Sequence, residues 1–345
     1  MRLTPRGDNL RIGLIAPPWV PVPPPAYGGT EMVVDLLARG LQAAGHEVLL
    51  AAAGDSTCPV PKVPGTPASD PAATNDATSL VAHLVTAYGA MGDVDLIHDH
   101  TIAGPLLRLR PAGVPVAVTN HNPFTPHALT VLRSAAPDTA VIAISNDHAA
   151  HAEGVRIARV IHHGLDPAKV PVGSGRGGYA VFLGRVDPAK GIVEALKIAR
   201  AAGVPLRIAA KMQDRAEHAY FDSEVKPLLT SEQEYIGEVS DEDKYELLGG
   251  AFALLNPIQW SEPFGLAMIE ALATGTPVVG TPFGSAPEII RQGETGFLGQ
   301  VEELPELLLQ VAGLDRAACR SDVELRFSAE RMVSDHVALY AELSS

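Results

Sequence analysis

WSEPFGLAMIEALATGTPVVG, residues 260–280, places two glutamates, Glu262 and Glu270, eight positions apart in an otherwise apolar run. Pro263 suits a first helical position, and the residues through Leu272 continue as a helix that Gly275 stops. The backbone N–H groups of Phe264, Gly265 and Leu266 then project from the helix start, where the helix dipole favours an anion or a hydroxyl oxygen. Eight helical residues rise about 12 Å. The two carboxylates are therefore expected to serve different parts of an elongated ligand and not to act as a pair on one bond. An ordinary acidic helix start followed by one solvated glutamate has the same spacing.

The chain around this stretch has 345 residues, long enough for two domains that each bury a core. Its net charge of −14 is unevenly shared: residues 166–345 hold 16 Lys/Arg against 27 Asp/Glu. Such an acidic chain argues against nucleic acid and anionic membrane surfaces as partners. No apolar run is long enough for a membrane span, and MRLTPRGDNL lacks the features of a secretion signal. Cys58 and Cys319 show no metal-ligand spacing and are expected to be reduced thiols of a cytoplasmic protein.

Short apolar runs alternate with segments of helical period. RIGLIA (11–16), EVLLAAA (47–53), DLIHDH (95–100), VPVAVTN (114–120) and TAVIAIS (139–145) predict buried strands. A helix over 30–43 separates the first two. After GLDPAKVPVGSGRGG (164–178), which reads as a linker with candidate hinge glycines, the rhythm restarts. YAVFLG (179–184), VPLRIAA (204–210), QEYIG (233–237), AFALLNP (251–257) and TPVVG (276–280) predict a second set. The expectation is an α/β chain of two doubly wound, parallel-sheet domains. We place them at 1–165 and 166–325, with a C-terminal helix over 326–345 that crosses back to the first domain. Ligands of such sheets sit beyond the strands' carboxyl ends, so a cleft between the domains is the expected active site. The first strand is followed by APPWVPVPPPAYGGTE (16–31) instead of GxGxxG, which removes the main support for a dinucleotide-dependent dehydrogenase.

EPFGLAMIEALATGTPVVG resembles the E-x7-E signature of the family 4 retaining glycosyltransferases, which use the GT-B fold of two Rossmann-like domains facing a cleft. GRVDPAKG (184–191), YIGEVSDED (235–243), VIHHGLD (160–166), TNH (119–121) and YGGTE (27–31) resemble further family motifs, in the correct order. The resemblance implies that Glu270 holds the ribose hydroxyls of a nucleoside diphosphate sugar. It places Glu262 beside the donor sugar, with the Phe264, Gly265 and Leu266 N–H groups, and Arg185 and Lys190 on the diphosphate. Gly237, Glu238 and Val239 would meet the nucleobase, and Gly28 and Gly29 the donor from the first domain. His121, with Glu262, is the candidate catalytic residue. Lys211 is carried as a donor-side candidate, although a surface lysine fits it as well. Tyr27, Thr30 and Asn120 are acceptor-side candidates. The cluster His98-Asp99-His100 has no third partner to identify a metal site and reads as structural.

The activity implied is retaining transfer of a sugar, a UDP-sugar being favoured, to a hydroxyl of a soluble acceptor, without a metal or other cofactor. Two departures stand out: Trp260 is inserted before Glu262, and His163 replaces the asparagine of the NGVD motif. The Ala-, Gly- and Pro-rich composition and the motif set further resemble glycosyltransferases of orthosomycin (avilamycin-type) antibiotic pathways. A GT-B epimerase or phosphorylase, or a non-catalytic sugar-nucleotide sensor, are the rival classes.

Overall fold

The computed structural model describes residues 9–25, 28–74, 76–135 and 139–345. The chain divides into two compact units, Met1–Gly164 with Ala329–Ser345, and Leu165–Ser328.

The first unit is built on a parallel sheet of β1 (Arg11–Ile15), β2 (Glu47–Ala51), β3 (Leu96–Asp99), β4 (Val116–Thr119), β5 (Thr139–Ala143) and β6 (Ile157–Val160). Its strand order is β2-β1-β3-β4-β5-β6, so the direction of winding reverses between β1 and β3. Both faces are apolar because the crossover helices cover both. Ile15, Ile97, Val116 and Val118 pack with Leu84, Tyr88 and Leu132 in one core cluster.

The second unit repeats the plan with β7 (Ala180–Arg185), β8 (Leu206–Lys211), β9 (Gln233–Gly237), β10 (Ala253–Asn256), β11 (Val278–Gly280) and β12 (Gly296–Leu298). The order β12-β11-β10-β7-β8-β9 is the doubly wound dinucleotide-fold order, with its switch point between β7 and β10. Those two strands pair only through Ala180/Ala253 and Val181/Leu254. Their carboxyl ends are therefore not laddered to each other, which is where such sheets admit ligands.

Three expectations need correction. The helix of the opening stretch runs Leu266–Ala273 with Gly265, at φ +82°, as its N-cap, so Pro263 precedes the helix instead of starting it. Residues 173–177 are not a free linker. Gly173, Gly175 and Gly177 donate to the carbonyls of Thr274, Gly249 and Gly250, and a Cβ on Gly173 would lie 2.2 Å from the Gly249 backbone. The glycines there serve close packing. Finally, the second unit extends to Ser328. Arg326 is held by Asp322 and by the Glu288 and Ile289 carbonyls, and Phe327 is buried against Phe264.

The last helix, Ala329–Leu343, belongs to the first unit and packs on helix Gly29–Ala43. Gly40 makes the approach possible, because a Cβ there would stand 2.3 Å from Val333 Cγ2. Valine is stiff at χ1 and cannot swing freely aside. Gly40→Ala is expected to destabilise the first unit by about 1 kcal/mol, overpacking outweighing the gain in helix propensity. In a Val333→Ala background the same change should be stabilising. Denaturant midpoints of the four proteins in this cycle read the sign reversal; equal effects in both backgrounds would show that the two helices do not meet there.

Candidate functional site

The switch point of the second unit collects most of the polar residues that the sequence singles out. Arg185 ends β7, and the turn after it is capped by Asp187, whose side chain accepts from the Ala189 N–H at 2.8 Å. This turn sits directly on the segment after β10: Gln259 N–H donates to Ala189 O at 2.8 Å. Gly191, at φ +76°, is needed twice over, since a Cβ would fall 1.9 Å from Pro257 O. Lys190 and Glu262 are thereby brought together and form an ion pair, with Lys190 Nζ 5.3 Å from the centre of the Trp260 ring. The inserted tryptophan thus lies against the lysine expected to meet phosphate.

The loop carrying Glu262 is fixed by the chain after β11. Ser285 N–H donates to Glu262 O at 3.1 Å, and Ser285 Oγ donates to Phe264 O. Gly284 passes so close that a Cβ would lie 2.4 Å from Glu262 N and O. Phe264 itself is buried, so its side chain is core and only its backbone can face a ligand. With helix Leu266–Ala273 beginning at its glycine cap, the N–H groups of Leu266 and Ala267 have no intrahelical acceptor, while Met268 N–H donates to Gly265 O at 3.1 Å.

Glu270 is buried on that helix, and Lys244 Nζ donates to its Oε1 at 2.8 Å and to Asp241 Oδ1 at 2.7 Å. Burial lowers the Lys244 pKa, but Glu270, Tyr245 and Asp241 outweigh it and the net shift is upward. Burial beside Glu270 also pushes the Tyr245 hydroxyl up to about 12. Arg185 Nε donates to Glu217 Oε1 at 2.8 Å, while Glu217 Oε2 receives the Gln213 N–H. Lys211, at the end of β8, lies 3.8 Å from Glu238. Gly237 closes β9 at φ +84°, turning the chain toward Val239.

Glu217, Lys244 and Ser285 were missed in the sequence. A signal existed for Glu217, the capping box Asp214-x-x-Glu217. None existed for Lys244, whose partner lies 26 residues away on another helix.

In the first unit, Gly28 caps helix Gly29–Ala43 and leaves room for the Pro24 ring, 2.6 Å from where a Cβ would be. Thr30 is partly exposed in its first turn, and Tyr27 lies outside the described residues. Asn120 is buried, its side-chain oxygen accepting from Asn122 N–H at 3.2 Å. His121 shares hydrogen bonds with His100 through Nε2 (2.8 Å) and with His163 through Nδ1 (3.2 Å). His98, its ring centre 4.1 Å from that of His100 and tilted by 39°, bonds Tyr340 and Thr119 with its two nitrogens. His336, whose Nδ1–H donates to Met332 O, lies 5.3 Å from His98. The described residues contain no group of three or more His, Cys, Asp or Glu side chains arranged to hold a metal ion. Burial depresses all five imidazoles; His121 falls to about 3 and His336 to about 4.

Comparison with known proteins places this geometry. Residues 27–169 match the family model described as Glycosyltransferase Family 4, and residues 172–312 that described as Glycosyl transferases group 1. The phosphatidyl-myo-inositol mannosyltransferase of Mycolicibacterium smegmatis is 26% identical over 96% of this chain and 90% of its own. Among solved structures, AviGT4, a glycosyltransferase involved in avilamycin A biosynthesis, is similar at TM-score 0.76 and 28% identity, covering 97% of this chain and 98% of that one. The Anabaena protein HepE, solved with UDP and glucose, shares the fold at TM-score 0.76 and 18% identity, covering 97% of this chain and 100% of that one. The chain is a GT-B glycosyltransferase of the family 4 type. No helix among its described residues is long and apolar enough to cross a membrane.

The histidine cluster has a measurable consequence. An imidazole held neutral in the folded state binds fewer protons than the unfolded chain below about pH 6.5, so stability is full above that pH and lost as pH falls. Each such group removes about 1.4 kcal/mol per pH unit until its folded pKa is reached. The second unit carries one histidine, His218, by contrast. The calorimetric transition of the first unit should fall by at least about 10 °C between pH 7 and pH 5, while that of the second stays nearly level. A first-unit transition flat over this range would mean the imidazoles are not held neutral.

Proposed function

We propose that this glycosyltransferase moves a sugar, with retention, from a nucleoside diphosphate sugar to a hydroxyl of a soluble acceptor such as an antibiotic or oligosaccharide precursor. The observation that carries the donor assignment is the Lys190–Glu262 pair beside the Leu266–Ala273 helix start, at the unladdered carboxyl ends of β7 and β10. A cation, a carboxylate and first-turn N–H groups together suit a ligand with a diphosphate at one end and a polyol at the other.

In this scheme Lys190 and Arg185 take the diphosphate, and Glu262 takes hydroxyls of the transferred sugar. Glu270 takes the ribose diol, Gly237, Glu238 and Val239 border the base, and Lys211 lies beside them. As the bond between the anomeric carbon and the phosphate oxygen breaks, negative charge grows on the leaving diphosphate. Preorganised cations and backbone dipoles stabilise that charge, so the scheme needs no metal. The departing phosphate oxygen accepts the proton of the acceptor hydroxyl, whose oxygen bonds the anomeric carbon on the same face. His121 is assigned to the sugar in a positioning role. UDP-sugars are the donors we favour; HepE, alike in fold, is solved with UDP and glucose.

A lipid-linked acceptor is the second reading. The M. smegmatis relative is named for phosphatidyl-myo-inositol, and Val81, Val85, Leu106 and Leu109 are exposed on neighbouring segments of the first unit.

Calorimetric titration with UDP, GDP, ADP and dTDP, without metal and then with magnesium, tests the donor site. One nucleotide should bind selectively and without metal. Transfer assays on Glu262→Ala and Lys190→Ala should show turnover lowered by about 100-fold or more. Binding of none of the four, or full turnover in Glu262→Ala with donor binding intact, would remove the assigned roles. Release of nucleotide with an altered sugar and no acceptor product would identify an epimerase instead.

A further inference from the structure

The carboxylate assigned to the ribose does not stand alone. Lys244, on helix Asp241–Gly250, and Glu270 are each more than nine-tenths shielded from solvent, at 8% and 6% exposure. Lys244 Nζ bonds only one oxygen of Glu270, Oε1 at 2.8 Å, and its other carboxylate partner is Asp241 at 2.7 Å. The ammonium also lies 4.8 Å from the centre of the Tyr245 ring. Among the described residues no donor reaches Glu270 Oε2, and that atom is not sealed from solvent.

A carboxylate this buried needs a hydrogen-bonding partner, and a partner that engaged both oxygens would leave neither for a ligand. The monodentate contact supplies the partner and leaves one oxygen open. We propose that Lys244 is a positioning residue for donor binding, holding the Glu270 carboxylate by Oε1 so that Oε2 accepts from the 2′,3′-diol of the nucleotide's ribose. This rests on the assignment of Glu270 to the ribose. Lys244 touches no part of the ligand in this scheme and acts only through the carboxylate.

The test separates recognition of the diol from general stability. Dissociation constants of UDP and GDP are measured by calorimetry against their 2′,3′-dideoxy counterparts, for the wild-type protein and for Glu270→Gln, Lys244→Met and Lys244→Arg. The wild-type protein is expected to prefer the ribose form of the tighter nucleotide by about tenfold or more, because the dideoxy form leaves Oε2 without its donor. Lys244→Met should erase most of this preference while dideoxy affinity stays within about threefold of wild type. Lys244→Arg keeps the charge should the methionine variant not fold. A guanidinium fork engages both carboxylate oxygens, so the preference should fall here as well.

Equal weakening of ribose and dideoxy forms in Lys244→Met, or full preference in either lysine variant, would make the pair structural and overturn the proposal. Loss of preference in Glu270→Gln but not in the lysine variants would overturn Lys244 alone. No preference in the wild-type protein would remove the ribose assignment of Glu270, and the proposal with it.

Discussion

The second unit's site depends on where one β-ladder stops. β7 and β10 are hydrogen-bonded neighbours for two residue pairs and then part, at the place where the strand order reverses. Three loops, those after β7, β10 and β11, meet beyond, and they are packed backbone to backbone: Gly191 on Pro257, Gly284 on Glu262. Backbone contact leaves little slack, because the nearest touching atoms are main-chain and not the ends of side chains that could rotate. Lys190 and Glu262 therefore meet as a consequence of how the loops stack, and their pairing is set before any ligand arrives.

That pairing bears on how an acidic protein could accept a diphosphate. Each cation of the site is already matched: Lys190 by Glu262, Arg185 by Glu217, Lys244 by Glu270 and Asp241. A phosphate reaching Lys190 exchanges one anion for another, and the displaced carboxylate becomes available for hydroxyl donors. In the proposed scheme the two functions of the loop are coupled, since Glu262 is released toward the sugar only as phosphate takes its place. The exchange is modest in net energy, because both states keep the lysine paired. Discrimination then rests on geometry more than on total charge.

The sequence was most legible where a physical period is strong. Ten of the strands are anticipated as apolar runs; eight lie at or slightly inside their expected limits, while β7 and β8 each run one residue further, to Arg185 and Lys211. The strands it left out are β6, interrupted by Arg159 in Ile157–Val160, and β12, only three residues long in Gly296–Leu298. Neither has enough consecutive apolar positions to register as a buried run. Glu262 and Glu270 were visible because motif spacing is local. Their ion pairs were not, since Lys190–Glu262 and Lys244–Glu270 join residues 72 and 26 apart, and contacts of that separation exist only once the sheet has formed. The glycines of 173–177 misled for a related reason: composition cannot distinguish a glycine needed for freedom from one needed for close approach.

The histidines of the first unit show how burial narrows chemistry. His100, His121 and His163 form a chain of neutral rings, and each ring carries one N–H, so the chain has two possible directions. In one, His100 Nε2 carries a proton and is a buried donor without an acceptor; in the other it is a bare lone pair. An orphaned buried N–H is the rarer and costlier state. The chain therefore runs from His100 Nδ1–H to His121 Nε2, and from His121 Nδ1–H to His163 Nε2. Both nitrogens of His121 then point to other histidines. A sugar contact by His121 comes from its backbone or ring edge, or costs one of these bonds. The histidine that replaces the usual asparagine at position 163 is thus part of what sets His121 in place.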